Sequence, residues 1–187
     1  CIDRWEASLV IPGDDGTVSW SPYAAPANPL AVSVSVPGAY PQGYVTQTAA
    51  AAACANAGKR LCTDAEWIRA CRGPEDRAFP YGSTRVAGTC HDESTRTGHP
   101  AVACFASTDA SVFTKLTDPG INQAPDALAP TGSYEGCATT EGVFDLIGNL
   151  HEWTSDPAGT FRGGFYFDTR FNGEGCAYRT TAHDVSY

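Results

Sequence analysis

Gly142-Val143-Phe144-Asp145-Leu146-Ile147-Gly148-Asn149-Leu150-His151-Glu152-Trp153-Thr154-Ser155-Asp156 is the run whose reading decides the fold. Two acids, Asp145 and Glu152, stand on either side of Gly148-Asn149, a dipeptide that favours a turn. A turn there exposes main-chain carbonyls beside carboxylates, and calcium takes about six to eight oxygens of those two kinds. Taken singly, these residues read as a strand, a turn and a buried tryptophan with solvated acids. Taken together they point to a bound cation.

Three other blocks accompany the run: Lys59-Arg60-Leu61-Cys62-Thr63-Asp64-Ala65-Glu66-Trp67, Phe79-Pro80-Tyr81-Gly82 and Phe161-Arg162-Gly163-Gly164. With it they resemble, in order, the G-K-R-L-P-T-E-A-E-W, F-P-W-G, G-N-x-W-E-W and R-G-G-S signatures of the formylglycine-generating enzyme, or sulfatase-modifying-factor, family. Ile2-Asp3-Arg4-Trp5-Glu6 is similar to the family's D-x-Y-E-V strand. The resemblance implies one domain over residues 1–187 with an α+β, C-type-lectin-like fold. Two helices would pack on short twisted antiparallel strands with much irregular structure. Such blocks are specific for a fold and far less so for a reaction.

Composition agrees with one domain. The net charge of −9 argues against nucleic acid and anionic membranes as partners. No apolar run is long enough to span a bilayer. Eight cysteines and no methionine point to an oxidising compartment, secreted, extracellular or periplasmic. No leader is visible, so a mature or trimmed chain is expected. Cys1 is expected in a disulfide or as a buried thiol rather than acylated.

Along the chain, turns are expected to dominate residues 11–43, with only Val32 to Val36 alternating as a strand does. The alanine-rich run from Thr46 to Ala57, ended by Gly58, predicts a helix. Thr63-Asp64-Ala65-Glu66 has capping-box spacing, which predicts a second helix from Asp64 to Cys71, stopped by Gly73-Pro74. Arg77 to Pro130 has little periodicity, and so long an irregular stretch requires a staple or a metal. Val143 to Ile147, Phe161 to Phe167 and Cys176 to Thr181 read as short strands.

Eight cysteines allow about a hundred connectivities, so pairing cannot be read off. The resemblance implies that Cys54 and Cys71 are helix cysteines tied to C-terminal strands in the family's eukaryotic enzymes, with the usual partners missing here. It also implies copper held by two thiolates, oxidising a substrate cysteine to formylglycine. Soft thiolates select Cu(I). Asp168 occupies the first thiol position and Cys176 lies near the second, so copper is disfavoured. A disulfide for Cys176, with Cys137 as a candidate partner, is preferred over a reactive thiol.

By the same resemblance, Asp145 and Glu152 supply side-chain oxygens to calcium, and Gly148 and Leu150 supply carbonyls. Asp92, Asp118 and Asn122 are candidates for a second site. His151-Glu152 opens like a zinc H-E-x-x-H pattern, but Ser155 ends it. Asp168 through Glu174 opens like a calcium loop, but its twelfth position is Arg179, so a polar turn is expected. The four histidines, His91, His99, His151 and His183, are scattered singly, and an iron centre like that of the related sulfoxide synthases takes its histidines from a separate helical domain. Trp5, Trp67 and Trp153 are expected as packing, and Arg60, Arg72 and Arg162 as ties to carboxylates. The family's substrate groove maps to Phe165, Phe167, Asp168, Arg170, Asn172 and His183. Two functions follow. One is a non-catalytic, calcium-stabilised, disulfide-rich extracellular domain that binds a peptide or glycan; the other is a copper- or iron-dependent oxidoreductase using Cys176.

Overall fold

The computed structural model describes residues 2–92 and 98–181. Its architecture is α+β, with two small antiparallel sheets, four helices and long connecting segments among the described residues. Cys1 and His183 lie outside the described residues.

The first sheet has the order β2-β1-β3, from β1 (Ser8–Gly13), β2 (Gly16–Ser19) and β3 (Val32–Val34). The β1 and β2 strands form a hairpin, with Gly13 opposite Gly16 and Asp14-Asp15 between them. This corrects the expectation of loops after residue 11: the acid pair between two glycines is the hairpin turn. The D-x-Y-E-V-like block is also not a strand. Trp5 bonds Ser35 Oγ with both its N–H and its carbonyl, so a hydroxyl takes the place of a neighbouring backbone.

Both predicted helices form. α1 (Gln47–Asn56) is capped by Thr46 Oγ1, which accepts from Ala49 N–H, and Gly58 follows at φ 69°. α2 (Asp64–Arg72) has the full capping box: Thr63 accepts from Glu66 N–H, and Glu66 accepts from Thr63 N–H at 2.8 Å. Its inner face buries Trp67, Ala70 and Cys71. The Arg77 to Pro130 segment is less irregular than expected. It holds α3 (Pro100–Phe105), a 3-10 turn at Ala110–Lys115 and α4 (Gly120–Gln123), packed around Ala101, Val112 and Ile121. Two helices was therefore an undercount.

The second sheet, β4 (Glu152–Trp153), β5 (Phe161–Arg162) and β6 (Arg179–Thr180), is shorter than predicted. Gly163 and Gly164, at φ 80° and 76°, end β5 where a longer strand was expected. Asp145, at φ 60°, breaks the expected Val143–Ile147 strand to a single bridge between Ala138 and Phe144. Cys176 lies in a 3-10 turn, Gly175–Ala177.

Two disulfides sit in the main core with Trp67, Leu146 and Ile147. Cys71 is bonded to Cys176 and Cys90 to Cys137. The expected Cys137–Cys176 bond is therefore wrong, while with Thr180 near the usual partner's place the helix cysteine Cys71 pairs differently. Its partner is Cys176, just ahead of β6. Cys54, Cys62 and Cys104 are free thiols.

Candidate functional site

The turn between Asp145 and Glu152 is built from residues in left-handed conformations: Asp145, Gly148 at φ 83° and Asn149 at φ 52°. Gly148 is required. A Cβ there would stand 2.2 Å from the His91 carbonyl oxygen, which accepts from Asn149 N–H at 2.9 Å. Asn149 is 1% exposed and ties three segments together. Its Oδ1 accepts from Ala129 N–H, its Nδ2 donates to Glu6 Oε2 and to the Ala129 carbonyl, and its own carbonyl accepts from Tyr166 N–H.

Three carboxyls converge on this turn. Asp145 Oδ2 accepts from Gly132 N–H at 2.6 Å, Glu152 Oε2 from the Trp67 indole at 2.9 Å, and Glu6 Oε1 from Leu150 N–H at 3.2 Å. None of the three forms an ion pair with a described residue. Burial pushes Asp145 up to about 6 and Glu152 up to about 7. Glu6 is held well above the usual carboxylate range by burial and by the charges of Glu152 and Asp145. Glu6 was missed as a member of this group, although it belongs to the quoted Ile2–Glu6 block. Pairing across distant segments gave no spacing signal.

A cation fits this donor set in part. Among the described residues, no three His, Cys, Asp or Glu side chains are grouped to hold an ion by themselves. Main-chain oxygens are therefore needed, and the Gly148 and Leu150 carbonyls accept no hydrogen bond from the described residues. Hard carboxylate and carbonyl oxygens are a calcium-type set. The candidates for a second cation site have separate engagements. Asp92 pairs with Arg85, Asp118 Oδ1 accepts from Gly120 N–H, and Asn122 Oδ1 accepts from the Tyr166 hydroxyl.

The thiol positions are different again. Cys176 is 1% exposed and consumed by its bond to Cys71, which corrects its candidacy as a reactive group. Asp168 is buried and shapes a turn, with Oδ1 accepting from Arg170 N–H and Phe171 N–H and Oδ2 from the Tyr178 hydroxyl. The polar turn expected there is present. Two-thiolate copper does not fit these residues.

Around Asp168 the groove candidates form an aromatic group: Phe165 and Phe167 lie within 6.1 Å of each other, and His99 contacts both. His151 meets Phe165 edge-on at 5.2 Å. Phe171 is 81% exposed and Asn172 reaches the Tyr178 hydroxyl. His99 caps α3 through Nδ1, and its pKa is lowered by burial. The expected packing roles hold for Trp67 and Trp153, whose indoles donate to Glu152 and to the Val45 carbonyl. The arginine ties also form, Arg60 to Glu66, Arg72 to Asp76 and Arg162 to Asp64.

With the α+β frame, the Asn149-centred turn and the Arg162-Gly163-Gly164 segment in place, residues 19–182 match the family described as Sulfatase-modifying factor enzyme 1-like domain, and the chain belongs to that family. It is 34% identical to the mouse formylglycine-generating enzyme over 119 residues, 63% of this chain and 27% of that protein. It is 33% identical to the bovine enzyme over 120 residues, 63% of this chain and 27% of that protein. Identity to hercynine oxygenase of Mycolicibacterium smegmatis is 30% over 128 residues, 65% of this chain and 23% of that protein. The matched part thus spans about a quarter of each relative's length.

Proposed function

We propose that this chain is a calcium-stabilised, disulfide-stapled, extracellular or periplasmic domain of the family that binds a ligand rather than carrying out thiolate-copper oxidation. The observation that carries the reading is the Cys71–Cys176 bond, because it removes the sulfur that copper chemistry would need while Asp168 replaces the other. The formylglycine-generating enzymes name one activity in this family and hercynine oxygenase another, so the fold alone does not choose. The oxidoreductase alternative depended on Cys176 and loses its nucleophilic or metal-binding sulfur.

Support for calcium comes from three buried or half-buried carboxyls that pair with no basic group among the described residues, next to the Gly148 and Leu150 carbonyls, which accept no hydrogen bond from those residues. An ion at Asp145, Gly148, Leu150 and Glu152 would balance that charge and lock the turn. Two disulfides agree with an oxidising location, and no helix among the described residues is long and apolar enough to cross a membrane. The ligand surface is the aromatic patch of Phe165, Phe167, Arg170 and Asn172, which suits a peptide or a glycan. Non-reducing peptide mapping joined to Cu(I) titration tests the proposal. The Cys71–Cys176 peptide pair and no Cu(I) binding that depends on Cys176 are expected. A free Cys176 thiol that binds Cu(I) sinks it.

A further inference from the structure

A cavity of about 540 Å³ lies between the N-terminal segment, the end of α1, the start of α2 and the Asp145–Trp153 turn. It adjoins the aromatic patch through His151, but neither Phe165 nor Asp168 lines it. Protein interiors are close-packed, and large voids in them are few. Binding sites for small molecules, in contrast, fall in the range of about 300–1,000 Å³ with mostly apolar walls.

The walls have that character. Leu9, Val45, Leu61 and Trp153 contribute apolar surface, and Glu6 and Glu152 contribute carboxyls that pair with no described basic residue. The cationic side chains on the wall are already engaged, Lys59 with Asp3 and Arg60 with Glu66. If the turn takes a divalent ion, as proposed above, its two charges offset Glu6 and Glu152, the two unpaired carboxyls on the wall, and Lys59 and Arg60 stay paired with Asp3 and Glu66. An anion would therefore find no unpaired cationic group among the described wall residues, whereas a neutral apolar body needs none.

We propose that this cavity is a second ligand site, for a neutral apolar small molecule. Two free thiols report on it. Cys54 and Cys62 line the cavity, and Cys104, also free and of intermediate exposure, does not. The site shares Glu152 with the cation reading, so the experiment separates the two.

The disulfide-intact protein is treated with iodoacetamide in calcium and, in parallel, in chelator. N-phenyl-1-naphthylamine is the neutral probe, and anilinonaphthalene sulfonate is the anionic contrast. Alkylation of each cysteine is followed by peptide mass spectrometry. At about ten times its Kd the neutral probe slows Cys54 and Cys62 about tenfold, because only unliganded protein reacts. Cys104 keeps its rate, and the sulfonate protects neither thiol. Leu61→Trp fills the cavity and abolishes the protection, with an unchanged Cys104 rate showing that the variant is folded; if it does not fold, the wild-type rates decide. Equal slowing of all three thiols, no slowing, or equal protection by the sulfonate overturns the proposal. Protection in both buffers with a melting temperature indifferent to calcium sinks the cation reading alone.

Discussion

His151 and Asp168 share one hydroxyl: Tyr178 Oη lies 3.1 Å from His151 Nε2 and donates to Asp168 Oδ2 at 3.1 Å. By the resemblance, His151 stands where the family signature has tryptophan, and Asp168 where it has the first copper cysteine. Two departures from one family pattern thus meet through a single phenol. Burial pushes that phenol up to about 12, which keeps it protonated and able to donate.

Replacing Tyr178 by Phe removes this link and leaves the two backbone N–H bonds to Asp168 in place. Stability should fall by about 1–3 kcal/mol in urea denaturation, because the hydroxyl also meets Asn172 and its loss leaves the buried Asp168 Oδ2 without that donor. The nitrogen chemical shifts of His151 should change at the same time. Unchanged His151 shifts would show that the hydroxyl does not set its hydrogen bonding.

The Cys71–Cys176 bond closes a sequence separation of 105 residues. Changing both residues to Ser should lower stability by about 2–4 kcal/mol, towards the upper end for so long a loop. Denaturant curves, with the slope rising as the unlinked unfolded chain expands, would check it.

Calcium should raise the melting temperature above that in chelator. A hundredfold excess over Kd corresponds to about 2.7 kcal/mol. Asp145→Ala with Glu152→Ala should bring the melting temperature in calcium down to the chelator value. A wild-type protein whose melting does not respond to chelator contradicts the site.

The same acids give a pH signature. In chelator, Glu152 at about 7 and Asp145 at about 6 hold protons that the unfolded chain, with ordinary values of 4.5 and 3.8, has already released. Their contribution is fully present below about pH 4 and is lost as the pH rises through about 7. Bound calcium balances the ionised acids, so the calcium-dependent gain in melting temperature should grow across that window. A gain that is flat with pH would show that these two groups do not face the ion.

Arg162 and Asp64 form a bidentate pair at 2.7 and 2.6 Å, joining β5 to the first turn of α2. Arg162→Ala should cost about 3 kcal/mol, the low end for a buried pair, because the Asp64 side chain is 33% exposed. Thermal melting measures it.

The chain's local order already spelled out α1, α2 and its family, but not α3 and α4. Thr46, Gly58 and the Thr63–Glu66 box act on backbone groups a few residues away, so α1 and α2 needed no tertiary information. The turn at Gly148-Asn149 was legible for the same reason. The short strands were not: Gly163, at positive φ, ends β5 where it packs against the Leu146 carbonyl, a contact between segments well apart in sequence. Only the folded chain decided which cysteine meets which, that Glu6 joins Asp145 and Glu152, and that Tyr178 bridges His151 to Asp168. These are meetings between residues remote in sequence. Their geometry depends on how the whole core packs, and no spacing along the chain encodes it.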